Sequence, residues 1–241
     1  MSEHPEYNRD TNPYPSFGKK YNGERAIISL TSWTARINTV SKTLFSLIKQ
    51  CPGFHIVLVL SEEEFPKMMD ELPDNLKLFV DNELIELLWV YKNYRSFKKI
   101  FFTQDKYREL PIISADDGCI YIRNFAQELY DNWFKEKNKI ISQKQFQDAK
   151  YKIGGGGYGT LYPPYCFKNK ALIILTSFYN TLIKNPNDDR FISILAAKLG
   201  IKYKFLNNKT FVNITKNDGL SELGKYKGGR NTEFEKMVKL V

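Results

Sequence analysis

The sequence predicts an α/β fold: a mainly parallel, doubly wound sheet flanked by helices, within one domain. Short apolar runs alternate with segments of helical period, in the order strand, helix, strand, helix. The strongest polar signals fall directly after apolar runs, at the strand ends where such sheets bind ligands. No long linker and no internal repeat divides the chain.

Residues 1–24 are polar, carry Pro5, Pro13, Pro15, Gly18 and Gly23, and read as an irregular arm; the domain runs over 25–241. Ala26-Ile27-Ile28-Ser29-Leu30 is the first strand, followed by the polar loop Thr31-Ser32-Trp33-Thr34-Ala35-Arg36. Val40, Leu44, Leu47 and Ile48 then recur at helical spacing. Ile56–Leu60 is the second strand, and Ser61-Glu62-Glu63-Glu64 reads as a capping box opening a short helix. Ile85–Val90 is the third strand, and a helix covers Lys98–Tyr107. Pro111–Ala115 is the fourth strand, with Asp116-Asp117-Gly118 at its carboxyl end. Ile122, Phe125, Ala126, Leu129, Tyr130 and Trp133 mark an amphipathic helix. Gly154–Gly159 is glycine-rich and leads into Leu161-Tyr162-Pro163-Pro164. Helices are expected over Lys170–Asn185 and Asp189–Leu199, the latter stopped by Gly200, with a further strand at Lys202–Leu206.

Composition narrows the function classes. Aromatics make up 15% of the 241 residues, which argues against disorder. The net charge of +9 suits either a solvated basic surface or an anionic partner, a membrane face or a phosphorylated substrate. Its Lys and Arg are spread rather than blocked, which disfavours nucleic acid. Three distant cysteines, Cys51, Cys119 and Cys166, offer no metal spacing and fit a reducing cytoplasm. With His4 and His55 alone, a histidine-rich metal site or histidine-based triad is nearly excluded, and His55 reads as structural. No signal peptide or bilayer-length apolar run is visible, so any membrane association is peripheral or through a partner.

Asp116 and Asp117 are adjacent carboxylates at a strand end, an arrangement that a divalent cation with a diphosphate relieves. Asp-Asp-Gly is also common turn chemistry. Asp188 and Asp189 open a helix, where Asp is favoured as a cap and where a general base can also stand. If Asp188 is the cap, Asp189 is freer to act as that base. The glycine run lacks the Gly-Lys-Ser/Thr of a P-loop and reads by itself as a flexible loop. Tyr94-Arg95-Ser96-Phe97-Lys98-Lys99 gathers cations ahead of a helix, facing either a diphosphate or solvent.

Six segments in register carry a resemblance. They are Ile28–Ile37, Leu58–Pro66, Ser96–Lys99, Ile112–Asp117, Gly157–Pro164 and Asn187–Phe191. Over residues 25–240 the chain resembles bacterial glycosyltransferases of the GT-A fold, related to the inverting family 2 and used in capsule polysaccharide and lipopolysaccharide biosynthesis. The resemblance implies a GT-A-like (Rossmann-like) fold and hexosyl or related transfer. The sugar would pass from a nucleoside-diphosphate sugar to a hydroxyl of a glycan acceptor, lipid-linked in some such pathways, with inversion. It places Thr31, Ser32, Trp33 and Arg36 at the nucleoside, with Asp116 and Asp117 as the D-x-D motif holding ribose and a metal-bound diphosphate. Lys98 or Lys99 would meet the leaving charge, and Gly157, Gly159 and Tyr162 would shape the sugar and acceptor cleft. Asp188-Asp189 would supply the base, with Asp189 favoured. A divalent cation, Mn or Mg, would sit on Asp117. Gly118 stands where the family carries a third, often metal-ligating acid, and Thr34 where it carries Pro. The first departure favours the alternative of a non-catalytic sugar-nucleotide or glycan-binding protein. The implied location is the cytoplasm, at the inner face of the membrane.

Overall fold

In the computed structural model, residues 14–50, 52–147, 150–167, 171–184, 187–208 and 211–213 are described. Residues 1–13 of the arm, His4, Cys51, and the expected helix ends at Lys170 and Asn185 lie outside them.

The protein is a mixed α/β sandwich on one eight-stranded sheet. Its parallel centre is β2 (Ala26–Thr31), β3 (Phe54–Ser61), β4 (Glu86–Val90) and β5 (Ile112–Ser114), in spatial order β4-β3-β2-β5. These strands are buried almost throughout, as their mainly apolar runs require. β1 (Ser16–Gly18) closes one edge antiparallel to β4. Beyond β5 the order continues β10 (Thr160–Tyr162), β7 (Lys139–Ser142) and β11 (Lys202–Phe205). β10 is antiparallel to both neighbours, while β11 runs parallel to β7. Two small antiparallel ribbons lie outside the main sheet. One joins β6 (Cys119–Tyr121) to β12 (Phe211–Asn213), the other β8 (Gln145–Gln147) to β9 (Lys152–Gly154).

Helices cover both faces. On one, α1 (Val40–Ile48), α2 (Asp74–Asp81) and α4 (Phe125–Lys135) pack Leu44, Leu76 and Leu129 with Leu30, Leu58 and Trp89 of the strands. On the other, α3 (Lys98–Lys106), α5 (Ala171–Ser177) and α7 (Asp188–Lys198) pack Phe101, Leu175 and Phe191 with Ile27, Val57 and Val59. α6 (Tyr179–Lys184) follows α5 after Phe178, so the single helix expected there is broken in two.

Several expectations need correction. The arm is not irregular throughout: Ser16–Gly18 is a strand because the free edge of β4 accepts it. Gly18, at φ 81°, then turns the chain where a Cβ would lie 2.5 Å from the Ile85 carbonyl oxygen. Ser61 and Glu64 do form their side-chain bond, at 2.9 Å, but no helix opens there. Pro66 disfavours helical backbone at Phe65; a short 3-10 turn forms beyond it at Met68–Glu71, and the α-helix of this segment is α2. β6 and β10 are strands of three residues that the periodicity did not show.

His55 is structural in this fold. It is fully buried, and its Nε2 lies 2.7 Å from Glu86 Oε2 at the amino ends of β3 and β4. Lys106 and Tyr107 also hydrogen-bond Glu86. Burial alone would raise the Glu86 pKa, but these partners outweigh it and hold the carboxyl at about 2.

Candidate active site

The first loop and the acidic pair meet at the carboxyl ends of β2 and β5. Ser32 Oγ donates to Asp117 Oδ2 at 2.7 Å, and Arg36 Nη1 donates to Asp117 Oδ1 at 2.8 Å. Thr43 Oγ1 of α1 donates to the Asp117 carbonyl at 2.9 Å. Asp117 is therefore buried with both carboxylate oxygens engaged. Its pKa is raised, because burial outweighs Ser32 and Arg36.

Asp116 faces the other way and is half-exposed, its side chain 45% accessible. Its Oδ1 accepts from Lys99 Nζ at 2.6 Å. Lys99 is itself buried and lies 3.3 Å from Asp188 Oδ2. Burial would lower the Lys99 pKa, but Asp116, Asp188 and Asp189 outweigh it and hold the ammonium form firmly. One lysine of α3 thus joins the end of β5 to the start of α7.

The helix start differs from expectation. Asn187, not Asp188, is the cap of α7, and its side chain accepts from the Arg190 amide at 3.0 Å. Asp188 and Asp189 both lie in the first turn. Asp189 Oδ1 accepts from the Gly156 amide at 2.8 Å. Burial, then the adjacent Asp188 charge, raises the Asp189 carboxyl well above the ordinary range, with Lys99 opposing.

The glycine run is packed against these carboxylates. A Cβ on Gly156 would lie 2.6 Å from Asp189 Oδ1, and one on Gly157 would lie 2.0 Å from Asp116 Oδ2. The segment is pinned by Ser114 Oγ, which donates to the Gly156 carbonyl at 2.9 Å. Tyr121 ties the two loops together. Its hydroxyl accepts from the Asp116 amide and donates to the Gly157 carbonyl, each at 2.8 Å. Tyr121, Ser114, Thr43 and Gly156 are site residues that sequence reasoning missed. Tyr121 gave one weak signal, an aromatic hydroxyl five residues beyond Asp116.

Other expected residues make their contacts outside the acidic cluster. Lys98 does not reach the acidic cluster. Its Nζ is bound to Glu64 Oε2 at 2.6 Å and Asn93 Oδ1 at 3.0 Å, and burial lowers its pKa. Tyr162 is buried in the second core beside Phe167, near enough to Asp188 and Asp189 to feel their charge. Gly159, at φ 102°, packs on Phe125 and serves the turn into β10. Thr31 Oγ1 donates to the Val59 carbonyl at 2.6 Å, tying β2 to β3. Trp33 is half-buried, and its carbonyl accepts from the Arg36 and Ile37 amides in the loop turn.

Asp117 is not free to ligate a metal in this arrangement. Asp117 has both oxygens committed to Ser32 and Arg36, and among the described residues no group of three or more His, Cys, Asp or Glu could hold a metal ion.

No family model and no curated protein matches the chain. Solved structures do. A mannosyltransferase from Pyrobaculum calidifontis, in complex with GDP-Man and Mn2+, superposes with a TM-score of 0.53 at 12% identity. The match covers 87% of this chain and 62% of that one. S. aureus TarS 1–349, in complex with UDP-GlcNAc, gives 0.54 at 11% identity, over 89% of this chain and 65% of that one. This chain therefore has the GT-A-like fold of these glycosyltransferases and spans less than two thirds of their length. Among the described residues, no helix is long and apolar enough to cross a membrane.

Proposed function

We propose that this chain is a glycosyltransferase that moves a sugar, a hexose or a related one, from a nucleoside-diphosphate sugar to an acceptor hydroxyl, with inversion. The observation that carries the reading is the meeting of Asp116, Lys99, Asp188 and Asp189 at the carboxyl end of the sheet, bridged by one buried lysine. The fold shared with two glycosyltransferases whose structures hold GDP-Man and UDP-GlcNAc supports it. The acceptor would be a surface glycan of the capsule or lipopolysaccharide kind.

In this mechanism Asp189 is the base. Its raised proton affinity suits it to take the acceptor hydroxyl proton near neutral pH. Asp188 is less suited, because its Oδ2 lies 3.3 Å from Lys99 Nζ and is already engaged in that ion pair. The acceptor oxygen attacks the anomeric carbon, forming the new glycosidic bond. The bond from that carbon to the diphosphate oxygen breaks, and its electron pair leaves with the diphosphate. Lys99 and Arg36 are the cations of this end of the sheet and stabilise that charge. Asp117 orients Arg36 and the first loop. No step is assigned to a cation.

A thermal-shift screen with UDP-, GDP-, CDP- and dTDP-sugars tests the reading, followed by assay of nucleoside-diphosphate release with and without EDTA. A ligand at a hundred times its Kd stabilises by about 2.7 kcal/mol. Stabilisation by one base class together with turnover supports transfer. No response to any donor refutes it. The engagement of Asp117 and the glycine at 118 favour a second reading, a sugar-nucleotide-binding protein without activity. Stabilisation without turnover in the presence of acceptor glycans selects it.

A further inference from the structure

α1 presents Lys42, Phe45 and Lys49 along one exposed stripe, the outward side of about 3.6 residues per turn. β6 runs along the same helix. Thr43 Oγ1 donates to the Asp117 carbonyl, the Tyr121 amide donates to Ser46 Oγ, and Gln50 Nε2 donates to the Ile122 carbonyl. With Tyr121 pointing inward, the alternation of a strand turns Ile120 and Ile122 outward beside that stripe. Val212 of β12 is the cross-strand partner of Ile120.

Phe45 is 56% exposed, Ile120 41%, Ile122 48% and Val212 60%, so four large apolar side chains face solvent on one surface. The half-exposed Asp116 at its border is paired with Lys99, and the segments that form the face itself are basic. Segments 38–49, 118–124 and 211–213 hold Lys42, Lys49 and Arg123 and contain no Asp or Glu. Lys49 Nζ lies over the Phe45 ring at 4.0 Å, so cation and apolar group are presented together. On the other flank of α1, Asn75 Nδ2 donates to Ser41 Oγ at 3.0 Å, which places the exposed Asp74 of α2 on that side.

We propose that this face of α1, β6 and β12 docks on an anionic lipid bilayer. Apolar side chains ringed by cations match the boundary between acyl chains and acidic headgroups, where buried apolar area and lysine attraction add. A protein partner of ordinary composition would not require the cations, and a neutral bilayer would not use them. The same surface carries the Asp116-Asp117-Gly118 turn into β6, so docking would hold the carboxyl end of the sheet at the membrane. The proposal goes beyond the assignment of glycosyl transfer and does not depend on it.

The test is co-sedimentation of the full chain with vesicles of phosphatidylcholine alone and with about 30% phosphatidylglycerol, followed by salt titration. Three variants accompany the wild type: Phe45→Ser/Ile120→Ser/Ile122→Ser, Lys42→Glu/Lys49→Glu, and Lys198→Glu/Lys202→Glu as a charge control elsewhere. All the changed side chains are exposed, and melting temperatures verify the fold. Wild type is expected to bind only the anionic vesicles, more weakly as salt rises. Each patch variant is expected to lose at least about tenfold in affinity, on the scale of roughly fivefold per lysine at such a surface. The control is expected to stay near wild type. Equal loss in the control would reduce the effect to scattered charge and overturn the proposal. So would unchanged binding of the serine variant, or a wild-type dimer in light scattering that the serine variant abolishes, which would make the face a protein interface. Because the readout is binding, a chain without transferase activity can still pass or fail it.

Discussion

Alanine at Gly157 and alanine at Gly159 should have opposite consequences, although the positions are two residues apart. At Gly159 the backbone sits at φ 102°, and an added Cβ would lie 2.3 Å from Phe125 Cε2 and 3.3 Å from Leu129 Cδ1, both fully buried. Backbone strain of about 1–3 kcal/mol and overpacking of about 1–3 kcal/mol put the loss near 4 kcal/mol. At roughly 2–4 °C per kcal/mol for a chain of this size, melting should fall by about 8–16 °C. At Gly157 the clash is with Asp116 Oδ2 at 2.0 Å, at the tip of a half-exposed side chain that can rotate away. That rotation breaks the 2.6 Å contact with Lys99, but solvent screening limits the stability loss to about 1 kcal/mol. The functional loss is larger, since a reacting group misplaced by about 1 Å costs on the order of a hundredfold. Differential scanning fluorimetry and nucleoside-diphosphate release, run on both variants, separate the two effects. A Gly157→Ala enzyme with wild-type turnover would refute the placement of Asp116 in the site. A Gly159→Ala protein melting with wild type would refute the packing at Phe125.

Asp189→Asn should cut transfer by about a hundredfold or more yet melt above wild type at pH 7. A carboxyl whose folded pKa is raised binds more protons folded than unfolded, so its contribution declines as pH rises above about 4, and asparagine removes that decline; a lower melting point at pH 7 would contradict this. Glu86→Gln should lose about 3–5 kcal/mol in urea denaturation, since it breaks a buried charged network. Because the Glu86 pKa is depressed to about 2, its stabilisation holds above the unfolded value of about 4.3 and fades as pH falls towards 2, so the variant's acid limb should be flatter. Tyr121→Phe should cost about 1–3 kcal/mol by stranding the Asp116 amide and Gly157 carbonyl, and should lower turnover more than donor affinity; equal turnover would leave Tyr121 a core residue only.

What could be read from the sequence was what depends on local pattern. The parallel centre was legible because each of its strands is a mainly apolar run, and Asp116-Asp117 stood out because charge follows such a run directly. Their division of labour was not legible. Adjacent residues after a strand point to opposite sides, and only the tertiary position of Arg36 shows which is clamped. Lys98 and Lys99 pose the same problem on a helix. They are separated by about 100° of rotation, and one meets Glu64 while the other meets Asp116. Asn187, Asp188 and Asp189 are all capable caps, so sequence could not choose among them. β10 escaped notice because three residues show no usable period, and its antiparallel insertion depends on pairing with β5 and β7.

The arrangement of charge explains why the two acidic pairs need one another. Asp117 is neutralised in place by Arg36 and buried, so it shapes the first loop whether or not a ligand is present. Asp116, Asp188 and Asp189 gather around Lys99, an excess of carboxylate that one ammonium cannot balance. That excess, added to burial, raises the proton affinity of Asp189, so its ionised form is a stronger proton acceptor than an ordinary aspartate. Under the proposed reading, an incoming diphosphate competes with half-exposed Asp116 for Lys99. The gain from that contact is therefore reduced by the ion pair it displaces. The same exchange leaves Lys99 beside the phosphate as negative charge grows on the leaving group, which is where a cation favours the transition state over the bound donor.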